Sequence, residues 1–420
     1  MTPKPGPETG AQAPHPEKTQ TLAPASAHKM PLPEFIALMA WLSAITALSM
    51  DAMLPAFPEM VQDLGVDNEN RIQLVLAVFS LGMGLGTVFV GPIADWLGRR
   101  PTIFIGFGVY IVSSLASALS SSLEVLLVSR FVMGLGAAAV RIAGVAMIRD
   151  LFAAREMARI VSFVMMVFML VPAMAPMMGE WIILIGDWRM IFYVFMLFGV
   201  IGTVWLYARQ PETLPVAYRR PMNMRTVYGD VREVLAEPQI VLCSIAMTLG
   251  FAQMFSMIMS SKQLFTDTYG QGDNFTRWFA LMALCSAVVN LVNARLVMTM
   301  GMRRLVNIGY GWQAFSSAVF LAVVVAGVLP ASLDFPVFFV WAVGLMGIAG
   351  LTFGNLNAIA MQYKGNIAGT TASVISAISV FFGAFMASFV GQAYDGTVVP
   401  LAVASMVFSG MALLITRRLT

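Results

Sequence analysis

Asp51 is a carboxylate inside an apolar run, in the stretch LSMDAMLP. A charged group at membrane depth is costly unless it is paired, hydrated or protonated, and such groups commonly serve transport. Asp51 could therefore bind and release a proton or attract a cationic substrate. The alternative is a structural acid at the mouth of a bundle, since Pro55 and Pro58 end the helix soon afterwards.

Two arginines lie within another apolar run. Arg130 and Arg141 are eleven residues apart, so on a helix they point about 20° apart and roughly 16 Å separates them along the axis. Gly134 and Ala138 on the same side would let a neighbouring helix approach closely. A guanidinium on this side could bridge to Asp51 or hold an anionic or polar substrate group. Arg141 could mark a preference for less cationic substrates, or it could extend to the interface or bind carbonyl groups.

The elements that must position these residues are membrane-spanning helices. Hydrophobic residues make up 59% of the 420-residue chain and charged residues 11%, against roughly a quarter charged in soluble domains. About 20 apolar residues span a bilayer. Twelve runs meet this length: 34–56, 72–94, 102–121, 124–148, 157–182, 188–209, 239–261, 276–299, 304–329, 335–360, 367–392 and 396–416.

The distribution of basic residues orients the chain. With both termini on the cytoplasmic side, eighteen of the 25 Lys and Arg residues lie on or near that side, four lie on or near the other, and three lie well inside predicted spans. Cytoplasmic connectors of membrane proteins carry such an excess of basic residues. The sequence therefore predicts that both termini are cytoplasmic.

The chain divides into two halves. GRRPTIF follows the second span and GMRRLVNIG follows the eighth, which indicates an internal repeat. We predict an all-α integral membrane protein with twelve transmembrane helices in two pseudo-symmetric six-helix bundles and a site near the midplane. The predicted parts are a disordered cytoplasmic tail, an N-terminal bundle, a linker with a short amphipathic helix on the membrane surface, a C-terminal bundle and a cytoplasmic end: 1–33, 34–209, 210–238, 239–416 and 417–420.

The turn GPIADWLGRRP places an acid and two arginines between the second and third spans. Its residues of interest are Gly91, Asp95, Gly98, Arg99 and Arg100. The glycines permit tight backbone approach. The carboxylate could accept hydrogen bonds from the arginines or from a neighbouring helix N-terminus. We predict a conformational latch here rather than a substrate site.

The fifth span contains VPAMAPMMG. Pro172 and Pro176 each remove a backbone donor and should bend the helix, and Gly179 should permit close approach of a neighbour. The alternative is a simple proline kink without a specific role in transport.

The second half of the chain has its own polar residues at membrane depth. Gln253, Asn290 and Asn355 could line a cavity, or they could form hydrogen bonds between helices. Sequence alone leaves both open.

Several classes of function lack their motifs. The chain has no GxxxxGK[ST] run for a nucleotide and no HExxH or CxxC. Cys243 and Cys285 both lie in apolar runs, which predicts neither a disulfide nor thiol chemistry. We expect no enzymatic activity, no cofactor or metal ion, and no nucleic-acid partner.

Several motifs together resemble the major facilitator superfamily and, within it, the drug/proton antiporters of the bicyclomycin and chloramphenicol resistance type. They are SMDAMLPAFPEM, GPIADWLGRRP, SRFVMGLGAAA, MIRDLF, VPAMAPMMG, DWRMIF, PETLP, GTTASVISA and GQAYDG. The similarity covers nearly everything after residue 34. Within it, Met133, Ala175 and Glu180 depart from residues usual in the family, as does Trp96, where a basic residue is common.

The resemblance implies a multi-pass exporter of small amphipathic compounds in a bacterial inner membrane, driven by the proton gradient. It implies that Asp51 takes part in proton coupling, that Arg130 influences its protonation, and that Pro172 and Pro176 form the antiporter-like motif. Its partners would be the lipid bilayer, protons and a small-molecule substrate, and we expect a monomer. An importer or metabolite exporter of the same fold, and a non-transporting receptor or assembly protein, are the alternatives.

Overall fold

The computed structural model describes residues 30–152, 154–219, 224–363 and 368–419, and these ranges contain helices and no strand. The α-helices in chain order are α1 (Leu32–Asp51), α2 (Phe57–Asp63), α3 (Leu74–Leu97), α4 (Arg99–Ala118), α5 (Leu123–Leu151), α6 (Ala154–Ile183), α7 (Arg189–Arg209), α8 (Met224–Leu235), α9 (Pro238–Gln263), α10 (Phe275–Met300), α11 (Met302–Ala326), α12 (Ala331–Tyr363), α13 (Ala368–Gln392) and α14 (Val399–Thr416).

Twelve of these helices are long, and α2 and α8 are short. Among the described residues, eleven helices are long and apolar enough to cross a membrane. The remaining long helix, α6, has 30 residues and would extend about 45 Å. Helices suit the hydrocarbon core because every backbone donor and acceptor is paired within the segment.

The long helices form two bundles with matching contacts. In the first half, α5 packs against α3 and α4, α1 packs against α5, α6 and α7, and α4 packs against α7. The second half repeats the pattern, since α12 contacts α10 and α11, α9 contacts α12, α13 and α14, and α11 contacts α14. The predicted fold of two pseudo-symmetric six-helix bundles is confirmed.

The ends of the bundle form two faces. The face at which α1 begins also contains the end of α7, where Arg209 pairs with Glu34 at 2.6 Å. We call it the terminal face. Because successive long helices alternate in direction, it also contains the start of α11 and the end of α14, joined by Asn307 and Thr416 at 2.7 Å. We call the other end the opposite face.

The two halves meet along α3 with α13 and along α6 with α10. Gly84 of α3 lies directly against α13, and a Cβ added there would lie 2.8 Å from the backbone nitrogen of Phe381. A glycine is required at this close contact because any side chain would push the halves apart.

The linker helix α8 packs on the second bundle. Val234 is fully buried and Val231 is partly buried in the same apolar cluster as Ile240 and Val306, and α8 contacts α9 and α13. Where the sequence predicted an amphipathic helix on the membrane surface, part of its apolar side therefore contacts protein. Of the predicted disordered tail 1–33, residues 1–29 lie outside the described residues, and α1 begins at Leu32.

Candidate functional site

Asp51 is the last residue of α1 and is buried, with 4% of its surface exposed. Its Oδ1 has no hydrogen-bond partner among the described residues. Gly179 of α6 packs so closely on the carbonyl group of Ala52 that an added Cβ would overlap it. The end of α1 is therefore held in place by α6. A buried carboxylate without a countercharge is stable when protonated or hydrated, which suits a proton-binding site.

Arg130 is fully buried in α5, and its guanidinium binds backbone carbonyl groups. Nη2 donates to Ser49 O at 2.8 Å and Nε donates to Val75 O at 3.3 Å, while the group stacks on the Phe79 ring at 4.4 Å. The suggested bridge to Asp51 is absent from this structure. Asp51 is two residues beyond Ser49, so it points about 200° away around the helix.

The contact between Arg130 and α1 has a second anchor in α4. Ser49 Oγ and Tyr110 Oη lie 2.7 Å apart, and both side chains are buried. This pair connects α1 to α4 at the same residue whose carbonyl group Arg130 binds. Sequence reasoning missed both residues because a serine and a tyrosine in apolar runs give no distinctive signal.

Arg141 occupies a different environment from Arg130. Its side chain is partly exposed, and no ion pair or side-chain hydrogen bond to it is found in the described part of the chain. Three residues later, Gly144 lies against Leu42 of α1, and three residues earlier Ala138 lies against Gly86 of α3. Arg141 therefore points between α1 and α3.

Small residues set the spacing of α3 and α5. An added Cβ at Gly82 would overlap the carbonyl group of Phe131, and one at Gly134 would overlap that of Phe79. At Gly86 it would lie 2.9 Å from Ala138 Cβ. The close approach predicted for Gly134 and Ala138 is thus found against α3, and it fixes the helix that carries both arginines.

A second group of charges lies at the terminal face. Arg99 is buried and pairs with Asp95, and its Nε donates to Asp150 Oδ2 at 2.9 Å. Arg100 donates from Nη2 to the carbonyl group of Tyr207 at 2.7 Å. We call Asp95, Arg99, Asp150 and the adjoining Glu212 the charge cluster.

Glu212 connects the charge cluster to the segment after α7. Its Oε1 accepts hydrogen bonds from the backbone nitrogens of Arg99 at 3.0 Å and of Thr213 and Leu214 at 2.9 Å. Its Oε2 accepts from the backbone nitrogen of Arg100 at 3.1 Å. A carboxylate at the start of α4 satisfies unpaired donors and complements the helix dipole.

The two glycines of the predicted latch differ. Gly98 has φ +107°, and a Cβ there would lie 2.5 Å from Glu212 Oε2, so glycine is required both for conformation and for space. Gly91 lies within α3, and an added Cβ would meet nothing within 4 Å in the described structure. The tight approach expected at Gly91 is therefore not found in this conformation.

Sequence reasoning gave no role to Asp150 or Glu212, although the motifs MIRDLF and PETLP contain them. Their position became apparent only because the end of α5 and the segment after α7 meet the turn between α3 and α4. In the fifth span, α6 remains helical through Pro172 and Pro176. Gly179 makes the close contact with α1 described above.

The polar residues of the second half connect helices. Gln253 is fully buried and its Oε1 accepts from Ser405 at 3.2 Å and Ser409 at 2.9 Å, both on α14. Asn355 is buried and donates to Asn293 Oδ1 at 2.9 Å. Of the two roles left open, these contacts favour hydrogen bonding between helices. Asn290 lies in α10, but its side chain is outside the described ones.

Amide side chains join the two halves at the opposite face. Asn70 Nδ2 donates to the carbonyl groups of Gln392 at 3.2 Å and Tyr394 at 2.8 Å. Asn70 Oδ1 accepts from Gln263 Nε2 at 3.0 Å, and Gln263 also bonds to Gln73. We call Asn70, Gln73, Gln263 and Gln392 the amide junction. Because each bond crosses from one bundle to the other, the junction holds this face closed.

A second contact between the halves lies nearby. Thr276 of α10 donates to Glu180 Oε2 of α6 at 2.6 Å. Beside it, within the second bundle, the Lys262 ammonium group lies 5.0 Å from the centre of the Phe275 ring. The Glu180 side chain is exposed in addition to making this bond.

Comparison with known proteins gives the wider relationship. The family model described as Major Facilitator Superfamily matches residues 39–416. A bicyclomycin resistance protein homolog of Haemophilus influenzae is 29% identical over 372 residues, covering 87% of this chain and 91% of the relative. A chloramphenicol resistance protein of Pseudomonas aeruginosa is 27% identical over 345 residues, covering 81% of this chain and 79% of the relative.

The fold comparison agrees. The crystal structure of a D-xylose-proton symporter superposes with a TM-score of 0.76 at 13% identity, covering 93% of this chain and 98% of that one. At this identity the similarity concerns the fold alone. The protein is a multi-pass membrane transporter rather than an enzyme, as the sequence predicted. With a match over nearly its full length, this chain belongs to the Major Facilitator Superfamily.

Proposed function

We propose that this protein exports small amphipathic compounds from the cytoplasm across a bacterial inner membrane in exchange for protons. The observation that carries the proposal is Asp51, a buried carboxylate with an oxygen that has no partner among the described residues. The names of the two relatives, which concern bicyclomycin and chloramphenicol resistance, support an exporter of drug-like compounds. No cofactor is needed, because the proton gradient supplies the energy.

We infer the orientation of the protein in the membrane from its two faces. An excess of arginine favours the cytoplasmic side. The opposite face carries the basic residues Arg71, Arg189, Lys262 and Arg277, whereas the terminal face carries a larger set: Arg99, Arg100, Arg149, Arg209, Arg219, Arg232, Arg303, Arg304, Arg417 and Arg418. We therefore place both termini in the cytoplasm and the amide junction on the outer side. The chain would work as a monomer, since each half supplies the surface that the other requires.

Transport would proceed by alternating access between the halves. In the conformation observed, the amide junction closes the outer side. Opening that side requires the α3–α13 and α6–α10 contacts to separate there. The end of α1 lies against α6 through Ala52 and Gly179, so a change in the charge of Asp51 occurs beside a helix that forms the contact between the halves.

Arg130 would act on Asp51 indirectly. It binds the Ser49 carbonyl group and so fixes the last turn of α1, which positions the carboxylate two residues later. We assign it a positioning role in this conformation. The charge cluster at the terminal face would stabilise the first bundle internally, because its described bonds all join parts of that bundle.

The test is dye transport in proteoliposomes carrying an imposed pH gradient, with wild type, Asp51→Asn and a matched control. Glu124→Gln is the control, because Glu124 is an exposed carboxylate near the opposite face that pairs with Arg71. We expect the wild type and Glu124→Gln to drive ethidium or N-phenyl-1-naphthylamine against its gradient. Asp51→Asn and a protonophore should each abolish the pH-driven component. Transport that survives both would refute proton coupling through Asp51.

The same vesicles separate the alternatives. Movement of dye with the protons instead of against them would indicate an importer of the same fold. A receptor or assembly protein would show neither dye movement nor dye-dependent proton flux.

A further inference from the structure

Arg141 is a cation at membrane depth for which the protein supplies no countercharge in the described structure. Every carboxylate in the twelve long helices is described, and none pairs with Arg141 within ion-pairing distance. The three acids whose side chains are not described, Glu8, Glu17 and Asp230, belong to the amino-terminal segment and the linker. An intramembrane arginine normally has a partner.

The direction of Arg141 is fixed by its neighbours on α5. Its side chain lies about 60° from Gly144, which contacts α1, and about 60° from Ala138, which contacts α3. It is partly exposed. The guanidinium therefore points out of the first bundle between α1 and α3, and the latter is one of the two helices of that bundle that meet the second half.

An aromatic pair lies at a similar depth in the second bundle. The rings of Phe251 and Phe353 are stacked, with centroids 4.2 Å apart and planes 23° apart. Phe353 is ten residues before the end of α12, as Arg141 is ten residues before the end of α5. Both helices end at the terminal face, so each residue is about 15 Å from it, which is half the thickness of the hydrocarbon core.

The ring pair is partly exposed and held by glycines. Gly250 makes room for Phe353, and Gly383 makes room for Phe251, since added Cβ atoms would lie 2.7 Å and 2.6 Å from those side chains. On α9, Phe251 lies about 200° from Gln253, which faces α14. The ring therefore points away from α14.

We infer that the transported compounds include aromatic anions, whose anionic group Arg141 binds while the Phe251 and Phe353 pair stacks against the ring. This inference rests on the proposed export function and adds a substrate class to it. A guanidinium suits a carboxylate or sulfonate because it can donate two parallel hydrogen bonds. Asp51, the carboxylate that would favour cations, is buried at the end of α1 and is assigned to the proton.

The test uses two dyes with one ring system. 8-Anilino-1-naphthalenesulfonate is anionic, and N-phenyl-1-naphthylamine is the same skeleton without the sulfonate. Ethidium supplies a cationic aromatic comparison. Dye content of proteoliposomes after a pH step is measured by filtration for wild type, Arg141→Ala, Arg141→Lys and Phe251→Leu, with protein-free liposomes as background.

We expect the wild type to transport the sulfonate dye and Arg141→Ala to lower that rate at least about 10-fold, because a charge-assisted hydrogen bond is lost. Its rate with the neutral dye should stay within about twofold, and Arg141→Lys should retain part of the sulfonate rate. Phe251→Leu should lower the rates of both naphthyl dyes by a similar factor, about 3- to 10-fold.

Each other outcome overturns the inference. If Arg141→Ala transported the sulfonate dye as fast as wild type, Arg141 would not be an anion site. Loss of both dyes in Arg141→Ala shows a role in folding or coupling rather than in selection. A wild type that moves ethidium or the neutral dye but never the sulfonate contradicts the substrate class and leaves export standing, whereas a wild type that moves none of the three refutes the export function itself.

Discussion

Removing the Asn70 side chain should open the opposite face. In the closed conformation this side chain donates to the carbonyl groups of Gln392 and Tyr394 and accepts from Gln263 Nε2. All three bonds cross between the halves, and water would replace them when the face opens. At a net value of about 0.5–1 kcal/mol each, Asn70→Ala should lose about 1.5–3 kcal/mol of preference for the closed face. This corresponds to a factor of roughly 10–150 in the closed-to-open ratio.

The assay is a distance measurement across the opposite face. Spin labels on cysteines placed at the exposed positions Asp67 and Asp273 report the separation of the two halves by double electron–electron resonance. The native cysteines, Cys243 and Cys285, are first replaced by alanine. Asn70→Ala should raise the population at the longer distance, and transport should slow if closure of this face becomes rate-limiting.

The matched control is Gln62→Ala, which removes an exposed amide on α2 that makes no described side-chain bond between the halves. It should leave the distance distribution unchanged. If Asn70→Ala gave the same distribution as wild type, the amide junction would not determine closure. If both variants shifted it equally, the effect would arise from the loop and not from the bonds between halves.

Three further changes test the two faces. Glu212→Ala should lower the midpoint of thermal unfolding in detergent, because four backbone donors lose their acceptor and the protein loses about 1–3 kcal/mol of stability in total. Glu212→Gln should lose less stability. An unchanged midpoint for both variants would contradict the capping role. Gly98→Ala should reduce transport and stability, because the φ of +107° and the 2.5 Å distance from an added Cβ to Glu212 Oε2 exclude a methyl group. A variant with the melting midpoint and transport rate of wild type would show that the turn tolerates a side chain. Closure should be insensitive to pH between about 5.5 and 8 in an Asp51→Asn background, because amides do not titrate and burial raises the pKa of the Tyr394 phenol, which keeps it protonated. A pH-dependent shift in the label distance in this background would contradict the prediction.

The amino-acid sequence by itself determined the architecture. Apolar runs of membrane-spanning length, the repeated paired arginines and the bias of basic residues predicted twelve helices in two halves, because a bilayer forces backbone pairing into helices and leaves few alternatives. Gly134 and Ala138, two small residues four positions apart, also predicted a close contact with a neighbouring helix. The helical period placed Arg130 and Arg141 on one side of α5.

The partners of the charged residues depended on the tertiary structure. Helical periodicity shows which residues share a side of one helix, but not which atoms a neighbouring helix presents there. Arg130 binds the carbonyl groups of Ser49 and Val75 rather than Asp51, because the carboxylate points to the far side of α1. Backbone carbonyl groups carry no sequence signal, so this arrangement could not be read from residue types.

The same limit applies to contacts between distant segments. Glu212 reaches the start of α4 across more than a hundred residues of chain, and Asn70 reaches Gln263 and the end of α13 from the other bundle. These bonds join residues that are ordinary polar positions in the sequence. Their importance arises from the way two bundles pack, because a hydrogen bond depends on the relative placement of whole helices to within an ångström or less.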